Sequence, residues 1–445
     1  MNRAAFSPVQ EGSFAVAEYV AQWLPSWLAY LLVGLIQTQL LLLIPFVGAM
    51  TFVWMERKVS ARIQDRLGPT RVGGQFGWLQ LLADGVKLLN KEDVRPTDAD
   101  AMLFRLAPYI SFTASYTALL ALPFSNGWVV QSLNTGVFFI LAVLGLEVFG
   151  VILAGYASAS KWSLFGAMRE AAQVVSYEVP LGMCVVVPVM IAGTMDLVAI
   201  GEKQSGWFWN WYLFHDPFTF IIFWVYFTCA TASVNRAPFD LAEAESELVA
   251  GFHTEYSGFR WLAFYMAEYG SMFIVSGLAA ILFFGGWNGP IPIAHLLGLT
   301  GPDVHPVLHW FGNLLGMFNL VAKGVLGVTF MIWVRWTLPR LRIDQVMTTC
   351  LKYCTPIAAV MFLGAAIWTY LLPGGVLHLR EPYGSVAENP ELRPIPPQHA
   401  VAPAKATAEP AAAEAPARTA SRSVNDSTHS ADLTSAQHTG TSGGE

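Results

Sequence analysis

The stretch of the chain that offers most for chemistry is "NRAPFDLAEAESELVAGFHTEYSG", residues 235–258, which lies between two long apolar runs. It holds five carboxylates and a single arginine. Two carboxylates about 6 Å apart, at an effective dielectric constant of about 20, repel each other by roughly 3 kcal/mol, so the group cannot stay fully ionised without cations or water. The stretch is therefore expected to share and pass protons. Its acids are Asp240, Glu243, Glu245, Glu247 and Glu255.

The spacing of three of these acids, Asp240, Glu243 and Glu247, puts them on one face of a helix if the stretch is helical. Large apolar residues such as Leu248 and Phe252 interleave with the acids and predict a partly buried segment. A solvated acidic loop is the alternative interpretation that these residues leave open.

Four further ionisable residues fall inside apolar runs that are expected to cross a membrane: Glu147, Glu178, Glu268 and Lys323. A charge at membrane depth costs free energy, so each of these residues is a functional candidate. Acids and a lysine linked by water inside a helix bundle would form a proton relay, because charging one group shifts the pKa of the next. Charges that pair for purely structural reasons are the alternative.

The composition requires a membrane setting for these groups. The chain has 445 residues, of which 54% are hydrophobic and 13% are charged, against about 25% charged residues in soluble domains. The four cysteines are scattered, so we expect free thiols rather than a disulfide framework or an iron–sulfur site. The sequence has neither a P-loop nor a strand-linked dinucleotide fingerprint. We therefore expect no nucleotide, redox cofactor, metal or nucleic acid on this chain.

Eight apolar stretches are long enough to span a bilayer as helices. Uninterrupted runs of this length exclude the shorter strands of a membrane barrel. The sequence therefore predicts an all-α integral membrane protein with eight transmembrane helices and with amphipathic and acidic loops on one side. The expected helices cover 28–55, 106–124, 137–157, 174–195, 217–235, 261–284, 312–334 and 355–373.

Lysines and arginines in the loops predict the orientation. Seventeen of them lie in the first, third, fifth and seventh loops, whereas the other loops between helices hold Lys203 alone. The odd-numbered loops should therefore face the cytoplasm. The N-terminal segment, 1–27, is expected on the opposite side, before a membrane domain over 28–373. The C-terminal tail, 374–445, is rich in small and polar residues, and we expect it to be largely disordered.

The first loop, 56–105, is the longest on the expected cytoplasmic side and contains an amphipathic pattern. Phe76, Leu82 and Leu89 recur at helical spacing in "FGWLQLLADGVKLLN", and the charged residues fall elsewhere. Such a helix would lie in the membrane interface with its apolar face toward lipid or a lipid-like ligand. A helix packed on the neighbouring spans explains the same pattern.

Five motifs follow one another in an order that resembles a known family: "ERKVSARIQDRLGPTRVG", "ADGVKLLNKED", "MREAAQVVSYEVPL", "NRAPFDLAEAESELVAGFHTEYSGFRWLAFYMAEY" and "WVRWTLPRLRIDQVM". Together with the eight expected spans, they resemble the quinone-site membrane subunits of respiratory complex I, the proton-translocating NADH:quinone oxidoreductase. The resemblance extends over residues 28–372.

This resemblance implies that the chain forms a quinone cavity with two peripheral subunits and that its carboxylates couple quinone reduction to proton translocation. Quinone would be the substrate, while FMN and iron–sulfur clusters would be bound by partner subunits. Neighbouring small membrane subunits and the lipid bilayer would be further partners. The implied location is the plasma (inner) membrane of a bacterium, with loops 1, 3, 5 and 7 in the cytoplasm.

The resemblance also implies roles for individual residues, each taken from a matching motif position. The residues implied at the quinone cavity are Glu56, Arg57, Arg62, Phe76, Leu82, Arg169, Arg236 and Phe252. Those implied on the proton path are Glu147, Glu178, Asp240, Glu243, Glu245, Glu247, Glu255, Glu268 and Lys323.

One position departs from the family pattern, since Ser233 stands where many members have a glutamate. Serine carries no titratable proton, so we expect another acid to replace the missing carboxylate. Glu178, on the adjoining fourth span, is the expected candidate.

Three other functions fit parts of the sequence. A membrane subunit of a ferredoxin- or hydrogenase-linked complex shares the ancestry, but the long first loop argues against it. A stand-alone proton-coupled transporter should show paired broken spans in two related halves, which the sequence does not show. A purely structural anchor would leave the charges at membrane depth unexplained.

Overall fold

The computed structural model describes residues 25–126, 128–242, 245–299 and 306–371. The expectations for the tail, 374–445, and for nearly all of the N-terminal segment fall outside these described residues. Within the described part the chain is helical and contains no β-strand, only an isolated bridge between Ser125 and Trp128. The prediction of an all-α protein is confirmed.

Thirteen α-helices are found in the described part of the chain, and the last two are joined by a π-helical turn, Thr349–Cys354, into one continuous rod. They are α1 Ser26–Ile63, α2 Gln80–Asn90, α3 Ala101–Ala118, α4 Gly136–Ala157, α5 Lys161–Ala192, α6 Leu197–Lys203, α7 Pro217–Ser233, α8 Glu245–Leu248, α9 Gly258–Phe283, α10 Ile293–Leu296, α11 Pro306–Thr337, α12 Ile343–Thr348 and α13 Thr355–Leu371.

Five of the described helical segments are both long and apolar enough to cross a bilayer. The membrane protein predicted from composition is therefore confirmed. A helix overlaps each of the eight expected spans, but the count of eight crossings stays a prediction. The five segments are Gly136–Ala157, Lys161–Ala192, Gly258–Phe283, Trp310–Thr337 and Ile343–Leu371.

Helix α9 lies at the centre of the bundle, and most of its residues are buried. It packs against α1, α3 and α11. Small residues permit this close packing, since a Cβ atom on Gly270 would lie 2.8 Å from the Ser115 hydroxyl oxygen. Close approach through small residues is a common way for membrane helices to associate. As a result, side chains of α9 reach both the first helix and the acid-rich segment.

Two helices are longer than the hydropathy pattern predicts. Helix α1 continues to Ile63, so Glu56, Arg57 and Arg62 lie on its last turns and not in a loop. Helix α5 already begins at Lys161, before the expected start at residue 174. Hydropathy marks only the lipid-crossing part of a helix, whereas backbone hydrogen bonding continues beyond it. These extensions place charged residues on rigid helical ends.

The condition for placing Asp240, Glu243 and Glu247 on one helix face, a helix through the whole stretch, is not met at Asp240. Asp240 lies outside any helix, and α8 is a single turn over Glu245–Leu248. Pro238 precedes Phe239 and has no backbone N–H to donate to a helix, and Asn235 has a positive φ of 54°. The backbone is therefore irregular at this point.

Candidate functional site

Four charged side chains from four parts of the chain meet in the protein interior and form what we call the charge cluster: Glu56, Arg236, Glu268 and Arg335. The Arg236 Nε atom lies 2.8 Å from a carboxylate oxygen of Glu268. Its two terminal nitrogens lie 3.4 Å from the oxygens of Glu56. Arg335 also donates to Glu56. The two cations therefore offset the two anions.

Burial makes this pairing necessary. Glu56 is 6% exposed and Arg236 is 3% exposed, and an unpaired charge at such a site would cost several kcal/mol. The Arg236 guanidinium also lies over the ring of Tyr269, 4.3 Å from its centroid. The Tyr269 hydroxyl donates to the second oxygen of Glu56. The charge cluster is thus held by α1, α9, α11 and the segment after α7.

An apolar groove of about 370 Å³ opens between α1, α2 and α9. The amphipathic helix α2 supplies one wall with Leu82, Val86 and Leu89, which are all more than half exposed. Arg57 and Asp84, joined by a 2.5 Å ion pair, line the same groove. An exposed apolar channel of this kind fits a long hydrocarbon chain, which binds mainly by burying apolar area.

Two tyrosines connect the apolar groove with the charge cluster. Tyr265 lines the groove, and its hydroxyl lies 3.2 Å from that of Tyr269. Tyr269 in turn donates to Glu56. Each phenol can donate and accept a hydrogen bond. A hydrogen-bonded chain therefore leads from the groove wall to a buried carboxylate.

On the far side of the charge cluster lies a polar chamber of about 50 Å³, lined by Glu147, Glu170 and Glu268. Ser271 donates to Glu147 over 2.6 Å, and Asn235 donates to Glu170 over 2.6 Å. This volume exceeds the roughly 10–15 Å³ that a single water molecule needs, so the chamber has room for water. Glu268 belongs to both the charge cluster and the chamber, and it joins the two.

The structure separates two of the expected relay residues from this chamber. Glu178 is exposed and lines a side groove of about 450 Å³ between α4 and α5. Lys323 donates to three backbone carbonyls, those of Phe284, Gly286 and Asn288, at 2.5–2.8 Å. These carbonyls follow the end of α9, which lies about 22 Å from Glu268 at 1.5 Å per residue.

Of the acids in the 235–258 stretch, the structure describes the side chains of Asp240, Glu247 and Glu255. Glu247 is half exposed and forms a 2.6 Å ion pair with Arg169 on α5. The Arg169 hydrogen bond holds the pKa of Glu247 below its usual range. Asp240 and Glu255 are partly buried. Outside the described side chains lie Glu243 and Glu245.

The structure places the remaining residues expected at the quinone cavity in different surroundings. Arg62 is exposed in the last turn of α1. Phe76 is 61% exposed, and its carbonyl accepts a hydrogen bond from Trp54. Phe252 is buried and lines the polar chamber, away from the apolar groove. Leu82 and Arg57 are the two that line the groove itself.

Several residues of the site are not predicted to act there by the sequence. Arg335 lies in the fifth motif and Glu170 in the third, but the resemblance implies no role for either residue. A sequence signal for Glu170 exists, because Glu170, Gln173 and Tyr177 recur at helical spacing and all are buried. For Tyr269 the signal is its spacing of four residues from Tyr265, which places the two tyrosines on one face of a helix. Among the described residues, no three His, Cys, Asp or Glu side chains are placed to hold a metal ion.

Comparison with known proteins gives this arrangement its context. The family model described as NADH dehydrogenase matches residues 36–366. An NADH-quinone oxidoreductase subunit of Anaeromyxobacter dehalogenans is 45% identical over 322 residues, which are 72% of this chain and 78% of the relative. The protein of the same name from Chlorobium luteolum is 47% identical over 328 residues, 73% of this chain and 86% of the relative. These matches confirm the resemblance of the five motifs. The chain therefore belongs to the NADH dehydrogenase family, as a membrane subunit of the NADH-quinone oxidoreductase type.

Proposed function

We propose that this chain holds the tail of a quinone in the apolar groove and passes the effect of quinone reduction to a proton relay. The observation that supports this most is the unbroken series of contacts from the groove through Tyr265, Tyr269, Glu56 and Arg236 to Glu268 at the chamber. Each contact is a hydrogen bond or an ion pair. A change of charge at the groove can therefore reach the chamber without crossing apolar space.

The shared arginine supplies the coupling step of this proposal. Arg236 divides its positive charge between Glu56 and Glu268. A proton that arrives on Glu56 weakens its attraction for Arg236, and the guanidinium then pairs more strongly with Glu268. That pairing favours the ionised form of Glu268, so a Glu268 that has taken up a proton from chamber water gives this proton back to the chamber. Glu147 and Glu170 are the acids in the chamber that would accept it.

The partners and location follow from the same proposal. The chain would work in the plasma membrane of a bacterium, with eight crossings and with loops 1, 3, 5 and 7 in the cytoplasm. Two peripheral subunits would cover the cytoplasmic side of the apolar groove and bring electrons from FMN and iron–sulfur clusters. Small membrane subunits would cover the side groove of Glu178. Its exposed carboxylate supports this, since a carboxylate facing lipid is costly.

The test uses Glu268→Gln in the assembled complex, in sealed inverted membrane vesicles. We expect proton pumping driven by NADH and quinone to fall about tenfold or more, while NADH oxidation by an artificial acceptor stays at the wild-type rate. Glu202→Gln in the short helix α6 is the matched control, because Glu202 lies outside the groove, cluster and chamber. Wild-type pumping by Glu268→Gln at equal amounts of complex would contradict the proposal.

A further inference from the structure

We infer that Glu170 carries protons between the polar chamber and the wall at Ser233 that separates this chamber from the side groove of Glu178. This inference rests on the proposed proton relay. Ser233 is the last residue of α7 and lines both the chamber and the side groove of Glu178. It therefore stands between the buried acids and the acid at the bundle surface. Serine cannot store a proton, so the transfer past this wall requires a carboxylate beside it.

Glu170 is held at this place by its own contacts. It is 4% exposed, lines the chamber and accepts a 2.6 Å hydrogen bond from the side chain of Asn235, two residues after Ser233. Gln173 fixes that asparagine by donating to its side-chain oxygen at 3.0 Å and to the carbonyl of Ala232 at 2.8 Å. Helix α5 and the end of α7 are thus clamped together around the Glu170 carboxyl group.

Glu178 does not meet the same requirement. It lies eight residues further along α5, which rotates its direction by about 80° around the helix axis at about 100° per residue. Its side chain crosses Gly145 in the side groove and does not line the chamber. Glu170 therefore takes protons from the Glu147 and Glu268 side, and Glu178 can receive them only beyond Ser233.

The proton balance of this step is simple. An ionised Glu170 accepts a proton from chamber water that Glu268 or Glu147 has protonated. It then releases that proton to a water on the Ser233 wall, where the hydroxyl can donate one hydrogen bond and accept two. Glu170 returns to its ionised form, and no bond other than O–H bonds is made or broken.

The experiment measures protons pumped per quinone reduced, in sealed vesicles with equal amounts of assembled complex. Glu170→Gln keeps an oxygen that can accept from Asn235 but carries no acidic proton, and we expect its pumping to fall about tenfold or more. Glu170→Asp retains a carboxylate and should pump better than Glu170→Gln. In the double variant Glu170→Gln, Ser233→Glu the carboxylate returns from the opposite wall, and we expect pumping to recover. Glu202→Gln serves again as control.

The outcomes separate this inference from the proposed relay. Normal pumping by Glu170→Gln together with lost pumping by Glu268→Gln would overturn the role of Glu170 and leave the relay in place. Normal pumping by both variants would overturn the relay itself. Pumping that is lost in Glu170→Gln and is not restored by adding Ser233→Glu would also overturn the inference. The missing carboxylate beside Ser233 would then not be the cause of the loss. If the complex with Glu170→Gln fails to assemble, the other two variants decide. The inference is supported if Glu170→Asp pumps as well as the wild type and the double variant assembles and pumps.

Discussion

Arg236 is shared between two carboxylates: its Nε atom lies 2.8 Å from Glu268, and its terminal nitrogens lie 3.4 Å from Glu56. The shorter contact faces the polar chamber, and the longer ones face the tyrosines that lead to the apolar groove. One guanidinium therefore responds to both sides. Arginine is suited to this position because its planar fork donates in several fixed directions.

Removing this shared cation should destabilise the protein. Arg236→Met leaves Glu56 and Glu268 with one partly buried cation, Arg335, and we expect a loss of about 3–5 kcal/mol in the free energy of unfolding. Arg236→Lys keeps the charge but cannot reach both carboxylates equally, so its loss should be smaller. Thermal unfolding of the purified complex in mild detergent measures both. Arg66→Met, at an exposed loop position, is the control. Equal melting of Arg236→Met and the control would show that the cluster is not stabilising.

The apolar groove should distinguish quinones by tail length. Leu82→Lys places a charge on the groove wall, where it must be desolvated against a hydrocarbon tail. We expect kcat/KM for a long-tailed quinone to fall about tenfold, and kcat/KM for a short-tailed analogue to change much less. Leu67→Lys is the matched control, since Leu67 is 86% exposed and does not line the groove. Equal effects on both quinones would show that the tail binds elsewhere.

Breaking the ion pair of Glu247 with Arg169 by Glu247→Gln should lower quinone reduction by a factor that does not depend on pH near neutrality. A lowered pKa means that the pair is intact above the usual glutamate pKa of about 4.3 and is lost only as the pH falls through the lowered value. We expect Glu247→Gln to reduce quinone reduction by no more than about fivefold, as befits an exposed pair.

The measurement for Glu247→Gln is quinone reduction at several pH values between about 6 and 8, far above that pKa. The ratio of variant to wild type should stay constant, while NADH oxidation by an artificial acceptor is unaffected. A ratio that changes with a midpoint inside this range would mean that Glu247 itself titrates during turnover.

Lys323 should behave as a helix cap and not as a relay residue. Its ammonium group satisfies three carbonyls just after the end of α9, where a cation also interacts favourably with the helix dipole. Lys323→Met should therefore lower the free energy of unfolding by about 3 kcal/mol, while pumping per assembled complex stays at the wild-type rate. Lys352→Met, at an exposed position, is the control. Lost pumping in fully assembled Lys323→Met complex would return Lys323 to the proton path.

The sequence by itself determined the properties that depend on residues close together along the chain. Long apolar runs predicted the helices, and ionisable residues within them, such as Glu147 and Glu268, were recognisable as costly and therefore meaningful. The pattern around Leu82 likewise predicted the amphipathic helix α2, because helical periodicity is a local property. The motif resemblance, which the similar proteins confirm, supplied the family.

Only the tertiary structure decided which of these charges meet. Glu56 and Arg335 are 279 positions apart in the chain, and nothing local records that they share a hydrogen bond. Glu170 and Glu178 lie on one helix, yet a rotation of about 80° turns one toward the polar chamber and the other toward the side groove. Lys323 lies in an apolar run like a relay residue, but its distance from Glu268 and its three carbonyl partners support the predicted capping role. The packing of the helices decides which partner a charged side chain meets and which cavity it faces, because packing brings together residues that are distant in sequence.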